Sequence, residues 1–222
     1  MNTSLRSGAL ALAFVGLCIS GLAAAPGTAA GATGGDAARA EVGRAAPDFT
    51  LKDTDGKEQQ LSRYLAEKKT VVLEWFNPDC PFVRRHHERE KTMEQLFDRY
   101  GGKGVVWLAV NSGAPGKQGA GLERNIQARK DYGIAYPVLL DESGRVGRQY
   151  GAKTTPHMFV IRSDGVLAYA GAIDDDPRGE KEKAQRKNYV GEALERCLAG
   201  KPPSPDHTTS YGCSVKYGPI EM

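Results

Sequence analysis

The chain has 222 residues, which suits one ordinary domain plus extensions, and its 40% hydrophobic and 26% charged residues are enough for a core beneath a solvated surface. A net charge of +3, from 30 basic and 27 acidic residues, gives no support for nucleic-acid binding, which needs a concentrated basic footprint, and the isolated basic clusters read as solvated surface.

The first segment reads as a secretory signal. Arg6 supplies the positive start, Ala9 to Leu17 the apolar run, and small residues follow through Ala25 and again at Thr28-Ala29-Ala30. Gly16, Ser20 and Gly21 interrupt the run, so residues 1–30 are read as a removable signal peptide, with no stable membrane insertion once it is gone. Leu17 stands where a lipoprotein needs a small residue, and Cys18 goes with the discarded segment. Export to the periplasm or beyond is the expectation, in a compartment where disulfides persist. Cys80, Cys197 and Cys213 then allow one pair and one leftover thiol.

Residues 31–45, rich in Gly and Ala without periodicity, read as a flexible linker. The folded domain is expected over residues 46–200. It opens with Ala46 to Leu51 as an edge strand, turned back at Asp55-Gly56. The apolar, β-branched and aromatic run Val71 to Phe76 reads as a buried strand, stopped at Asn77-Pro78-Asp79. Cys80 stands at a helix start, with Asp79 as candidate N-cap and Pro81 at the first helical position. Unpaired N–H groups and a helix dipole there favour thiolate, and Arg84, Arg85, His86 and His87 add positive charge close behind. One helix is predicted from there to about Tyr100, closed by Gly101-Gly102.

Val105 to Val110 reads as a parallel strand, Leu122 to Tyr132 as a helix, and Arg145 to Tyr150 as another. Thr154-Thr155-Pro156-His157 leads into a strand ending at Ile161, and Asp164-Gly165 turns it into Val166 to Ala170. Residues 173–188 are charged and poorly patterned. A last helix runs from about Asn188 to Ala199, stopped by Gly200 and three prolines. Residues 201–222 form a tail with an unusual core, Tyr211-Gly212-Cys213-Ser214-Val215-Lys216-Tyr217.

The strand, tight turn, cysteine, proline and helix around Cys80 resemble the active-site segment of the thioredoxin superfamily, especially its peroxiredoxin-like branch. The opening Ala-Pro-Asp-Phe-Thr-Leu and the Thr-Pro strand with its hairpin resemble the same redoxin domains. Val83 stands where a thioredoxin has its second cysteine, and Asn77 where a peroxiredoxin usually has Thr or Ser. The resemblance implies a thioredoxin-like α/β fold: a mixed central sheet flanked by helices, with an N-terminal hairpin extension and a C-terminal tail. It also implies a cis Pro156 facing Cys80, and a Thr155 backbone free to pair with an incoming extended chain. The Gly-Cys-Ser-Val-Lys-Tyr tail resembles the ending of peroxiredoxin-like proteins that carry Asn-Pro-x-Cys-Pro-Phe-Val, which implies Cys213 as partner of Cys80.

On that resemblance the chain is a thiol oxidoreductase, exchanging disulfides or reducing peroxides. Cys80 and Cys213 are then catalytic, and Asn77, Thr155 and Pro156 position the substrate. Its partner is a thiol reductant or protein disulfide, and neither cofactor nor metal is placed at the site. A Cys80–Cys213 bond could equally be structural, worth roughly 5 kcal/mol on the chain-entropy model, and could form within or between chains. Copper binding by the same thiols and a histidine is the alternative. His87 lies two helical turns from Cys80, so His157 or Cys213 would have to contribute. Cys197, on an apolar helical stripe, reads as core, and Asp174-Asp175-Asp176 as a solvated loop.

Overall fold

The structure is a computed structural model that describes residues 39–219. The signal peptide over 1–30 and the linker as far as residue 38 lie outside the described residues.

Seven strands form one mixed sheet. They are β1 (Thr50–Asp53), β2 (Glu58–Gln60), β3 (Thr70–Trp75), β4 (Val105–Asn111), β5 (Val138–Leu140), β7 (Met158–Ile161) and β8 (Leu167–Gly171), in the order β2-β1-β5-β4-β3-β7-β8. Two further short strands, β6 (Thr154–Thr155) and β9 (Cys213–Ser214), pair antiparallel outside it. β3 is central: it runs parallel to β4, with Val72 opposite Trp107, and antiparallel to β7, with Val72 opposite Val160. All six β3 residues are buried, as an apolar run with both faces covered requires. The N-terminal hairpin joins the sheet through β1, antiparallel to β5.

Side chains alternate along β3 into two apolar layers. Val71, Leu73 and Trp75 enter one, with Leu61 of α1 (Leu61–Ala66) and Val146 and Tyr150 of α5 (Arg145–Tyr150). Val72 enters the other, beneath α2 (Pro81–Arg84), α3 (Thr92–Tyr100), α4 (Leu122–Tyr132) and α6 (Tyr189–Leu198). Cys80 belongs to this second layer, at the end of the strand that organises it. Among the described residues, no helix is long and apolar enough to cross a membrane.

The fold departs from the sequence reading in three places. The single helix predicted from Pro81 to Tyr100 is broken by a π-turn, Arg85–Arg89, and by left-handed Lys91 at φ 53°. Arg85, His86 and His87 are all buried, and three consecutive side chains 100° apart cannot share one α-helical face. The widened turn lets each reach a different partner. The end of the segment read as linker is docked, with Ala40 and Gly43 donating to the Gln149 and Leu167 carbonyls at 2.9 and 2.8 Å. The acidic run read as a solvated loop turns inward at two of its three residues, Asp174 and Asp176, which are buried.

Candidate active site

The end of β3 is pinned before the cysteine appears. Phe76 N–H donates to the Val110 carbonyl (2.8 Å), and Trp75 N–H to that of His157 (2.9 Å), which brings the Thr155–Pro156 segment alongside. The chain then turns on Asn77, whose Oδ1 accepts from Asp79 N–H (2.9 Å) and whose carbonyl accepts from Cys80 N–H (3.1 Å). Asn77 Nδ2 reaches out to the Gln118 carbonyl (3.2 Å), clamping the turn to a neighbouring loop. Gly119 leaves no room beyond it: a Cβ there would lie 2.0 Å from Asn77 Oδ1.

Asp79 is not the N-cap. Its Oδ1 accepts two bonds from Arg124 (2.9 and 2.7 Å), and Cys80 itself takes the cap position in extended backbone (φ −81°, ψ 123°) with Pro81 at the first helical position. Cys80 Sγ lies 3.0 Å from the carbonyl oxygen of Thr155, the residue joined to Pro156 by a cis peptide bond.

The tail completes the site. In the β6–β9 pair, Cys213 stands opposite Thr155 and Ser214 opposite Thr154. The Thr155 backbone, expected to be free for an incoming chain, is therefore occupied by this chain's own strand. Cys213 is half-buried and packs against the apolar cluster that holds Cys80, and both are free thiols.

Burial works against ionising Cys80, but hydrogen bonds from the Thr155 side chain, from Cys213 and from the Val83 amide outweigh it, holding the thiol below its ordinary 9.0. The helix contributes through its first amides, since α2 is only four residues long. Cys213 moves the opposite way, to about 11, pushed by burial and then by its contact with Cys80. The two neighbouring thiols are thus shifted in opposite directions.

The basic run contributes less than its composition implies. Arg84 pairs with Glu88 (3.1 Å). Burial and the neighbouring Arg85 push His86 down to about 3, so it is neutral. Burial also penalises charge on His87, yet Glu74 (2.8 Å) and Glu94 (2.8 Å) outweigh it and raise His87 to about 9. Both His87 ring nitrogens are thus taken, which removes it from any shared metal site with Cys80. Among the described residues, the one group of three or more ligand-type side chains within reach of each other is His86, Glu90 and Asp174. It holds neither cysteine, and two arginines press into it, Arg85 at 3.6 Å from Glu90 and Arg186 at 3.9 Å from Asp174.

Three participants escaped the sequence reading. Glu74 is fully buried in β3 and bonds His87 and Tyr136; a carboxylate inside a two-face-buried strand demands a buried partner, and that signal was available. Arg124 had no such signal. Tyr211 lay within a tail already marked as unlike a disordered end. Its hydroxyl donates to Asp174 and accepts from Arg85 (3.1 Å).

Known proteins resemble this chain in sequence and in shape. The thiol-disulfide oxidoreductase ResA of Geobacillus thermodenitrificans is 32% identical over 126 residues, covering 56% of this chain; the chain spans 65% of that relative's length. A hypothetical protein of Sinorhizobium meliloti superposes with a TM-score of 0.71 at 27% identity, over 80% of this chain and 95% of that one. An uncharacterized conserved protein of Geobacillus kaustophilus does so with 0.71 at 26% identity, over 82% and 94%. The sequence profile of the Redoxin family matches residues 41–187, a span that carries β3, Cys80 and the Thr155–Pro156 segment. The chain belongs to the Redoxin family.

Proposed function

We propose that the protein is an exported thiol-dependent oxidoreductase in which Cys80 is the attacking thiolate and Cys213 resolves the product. The observation that carries this reading is the contact between a thiol held below its ordinary pKa and a second thiol, on a strand paired to the Thr155 backbone. Names of relatives favour a disulfide over a peroxide as substrate. Export rests on residues 1–30, and Asn77, Thr155 and Pro156 are the groups that shape the sulfur's surroundings.

With a disulfide RSSR, Cys80 thiolate attacks one sulfur, forming a Cys80–SR bond as the S–S bond breaks and RS⁻ leaves to be protonated. Loss of negative charge at Cys80 removes one cause of the high Cys213 pKa, so Cys213 ionises more readily once the mixed disulfide exists. Its thiolate then attacks Cys80 Sγ, expels the second RS⁻ and leaves a Cys80–Cys213 disulfide. Two electrons have passed to RSSR, and an external thiol partner returns them. With a hydroperoxide, the first product is Cys80 sulfenic acid plus alcohol, and resolution releases water.

Mass spectrometry of the reduced protein mixed with a small disulfide tests this. Wild type should yield an intramolecular disulfide, Cys213→Ser should stop at the Cys80 mixed disulfide, and Cys80→Ser should remain unmodified at Cys213. A Cys80→Ser protein that still turns over disulfide and peroxide substrates contradicts the proposal.

A further inference from the structure

Cys80 is fully buried, and part of what covers it is the chain's own C-terminal strap. That strap is sewn down along its whole length. Its first residues border β8, where Thr208 N–H donates to the Ala170 carbonyl (3.1 Å) and Ala172 N–H to the Thr208 hydroxyl (2.9 Å). Tyr211 plunges into the Asp174 and Arg85 network, with its ring 6.0 Å from that of Phe82, the second residue after Cys80. Beyond β9, Val215 N–H donates to Lys153, Ala114 N–H to Lys216 (2.9 Å), and the Tyr217 hydroxyl to Ala152 (2.9 Å).

The tightest point is Gly212. It sits at φ +130°, and a Cβ there would fall 2.1 Å from the Thr155 carbonyl oxygen and 2.8 Å from its carbon. Only glycine lets the strap lie this close to the segment facing Cys80.

We propose that this strap is the specificity gate of the site: it fills the strand position beside Thr154–Thr155, so an extended polypeptide disulfide reaches Cys80 only by displacing residues 211–215, with Tyr211 as the latch. A compact disulfide needs far less. In this reading it needs only local movement of the half-buried Cys213 side chain, whereas a polypeptide needs the β6 edge that β9 now occupies. The gate thus discriminates by shape, and its strength is the cost of releasing the strap. This inference rests on Cys80 being the reactive thiolate.

The test reads only the first step, in a Cys213→Ser background where no resolution follows. Two probes share one leaving group, thionitrobenzoate: the symmetrical small disulfide of that thiol, and an extended cysteine peptide activated with it. Gly212→Ala should raise the rate with the peptide, relative to the small probe, by about tenfold or more, as the open population grows. Tyr211→Phe keeps the ring and loses only the hydroxyl. It should shift the same ratio in the same direction, by roughly fivefold, and it decides the matter alone if Gly212→Ala fails to fold. If the small probe reacts at Cys80 but the ratio stays within about twofold in the folded variants, the gate is refuted while the thiolate reading stands. If neither probe reacts at Cys80, the thiolate reading falls and the gate with it.

Discussion

Cys80 and Cys197 are cysteines of one chain, each lodged among apolar side chains, and their thiols are shifted in opposite directions. At Cys197, on α6, burial pushes the thiol up to about 11; Arg162 offsets this in part and Asp164 adds to it. At Cys80 burial pushes the same way, yet the thiol ends below its ordinary value because side-chain and amide donors converge on the sulfur. Burial by itself makes a thiol inert. What distinguishes a reactive one is the set of donors that a turn, a helix start and a returning strand aim at it.

The comparison predicts its own largest effect. Cys80→Ser should lower disulfide turnover by roughly a thousandfold or more, while Cys197→Ser should stay within about twofold, both read as kcat/KM with a small disulfide. Equal losses would erase the distinction between the two thiols.

The next effect is on stability, in the layer that holds Cys80. His87→Ala leaves Glu74 buried without its cation and should cost roughly 3–5 kcal/mol in urea unfolding. The same pair sets a pH dependence. Because His87 is raised from 6.5 to about 9 in the folded state, its contribution is fully present below pH 6.5 and is lost as pH rises through about 9. Wild-type stability should therefore fall across that window, by up to about 3 kcal/mol. A flat profile in urea melts from pH 6 to 10 would show His87 to be neutral.

A smaller effect concerns the alkylation of the two thiols with pH. Cys80 should titrate below 9.0, and Cys197 near 11, when iodoacetamide labelling is followed peptide by peptide. A Cys80 midpoint above that of Cys197 would reverse the comparison. Smallest is Arg124→Ala. Arg124 and Asp79 are each about one-third exposed, so losing the pair should cost only about 0.5–1 kcal/mol in thermal melts, with a modest drop in first-step rate from a looser turn.

Much of this was legible in the sequence where the signal is local. The β-branched run of β3, its stop at Asn77-Pro78-Asp79, and a cysteine at a helix start followed by proline are short-range chemistry, and the structure has them at those residues. The cis Thr155–Pro156 bond came from resemblance and is present. What stayed hidden is non-local. That β9 takes the Thr155 edge depends on a tail more than fifty residues away, and no periodicity announces a two-residue strand. The π-turn arises because Arg85, His86 and His87 answer to three partners on β3, the 174–186 loop and the tail. Asp79 looked like a cap because Asp usually is one there; Arg124, on another helix, took its carboxylate instead.

The central claim is that Cys80 and Cys213 act on each other, and peptide mapping after one equivalent of a small disulfide tests it most directly. The account predicts a Cys80–Cys213 disulfide within one chain, with Cys197 still a free thiol. Recovery of unmodified Cys80 alongside oxidised Cys197 or Cys213 would contradict it.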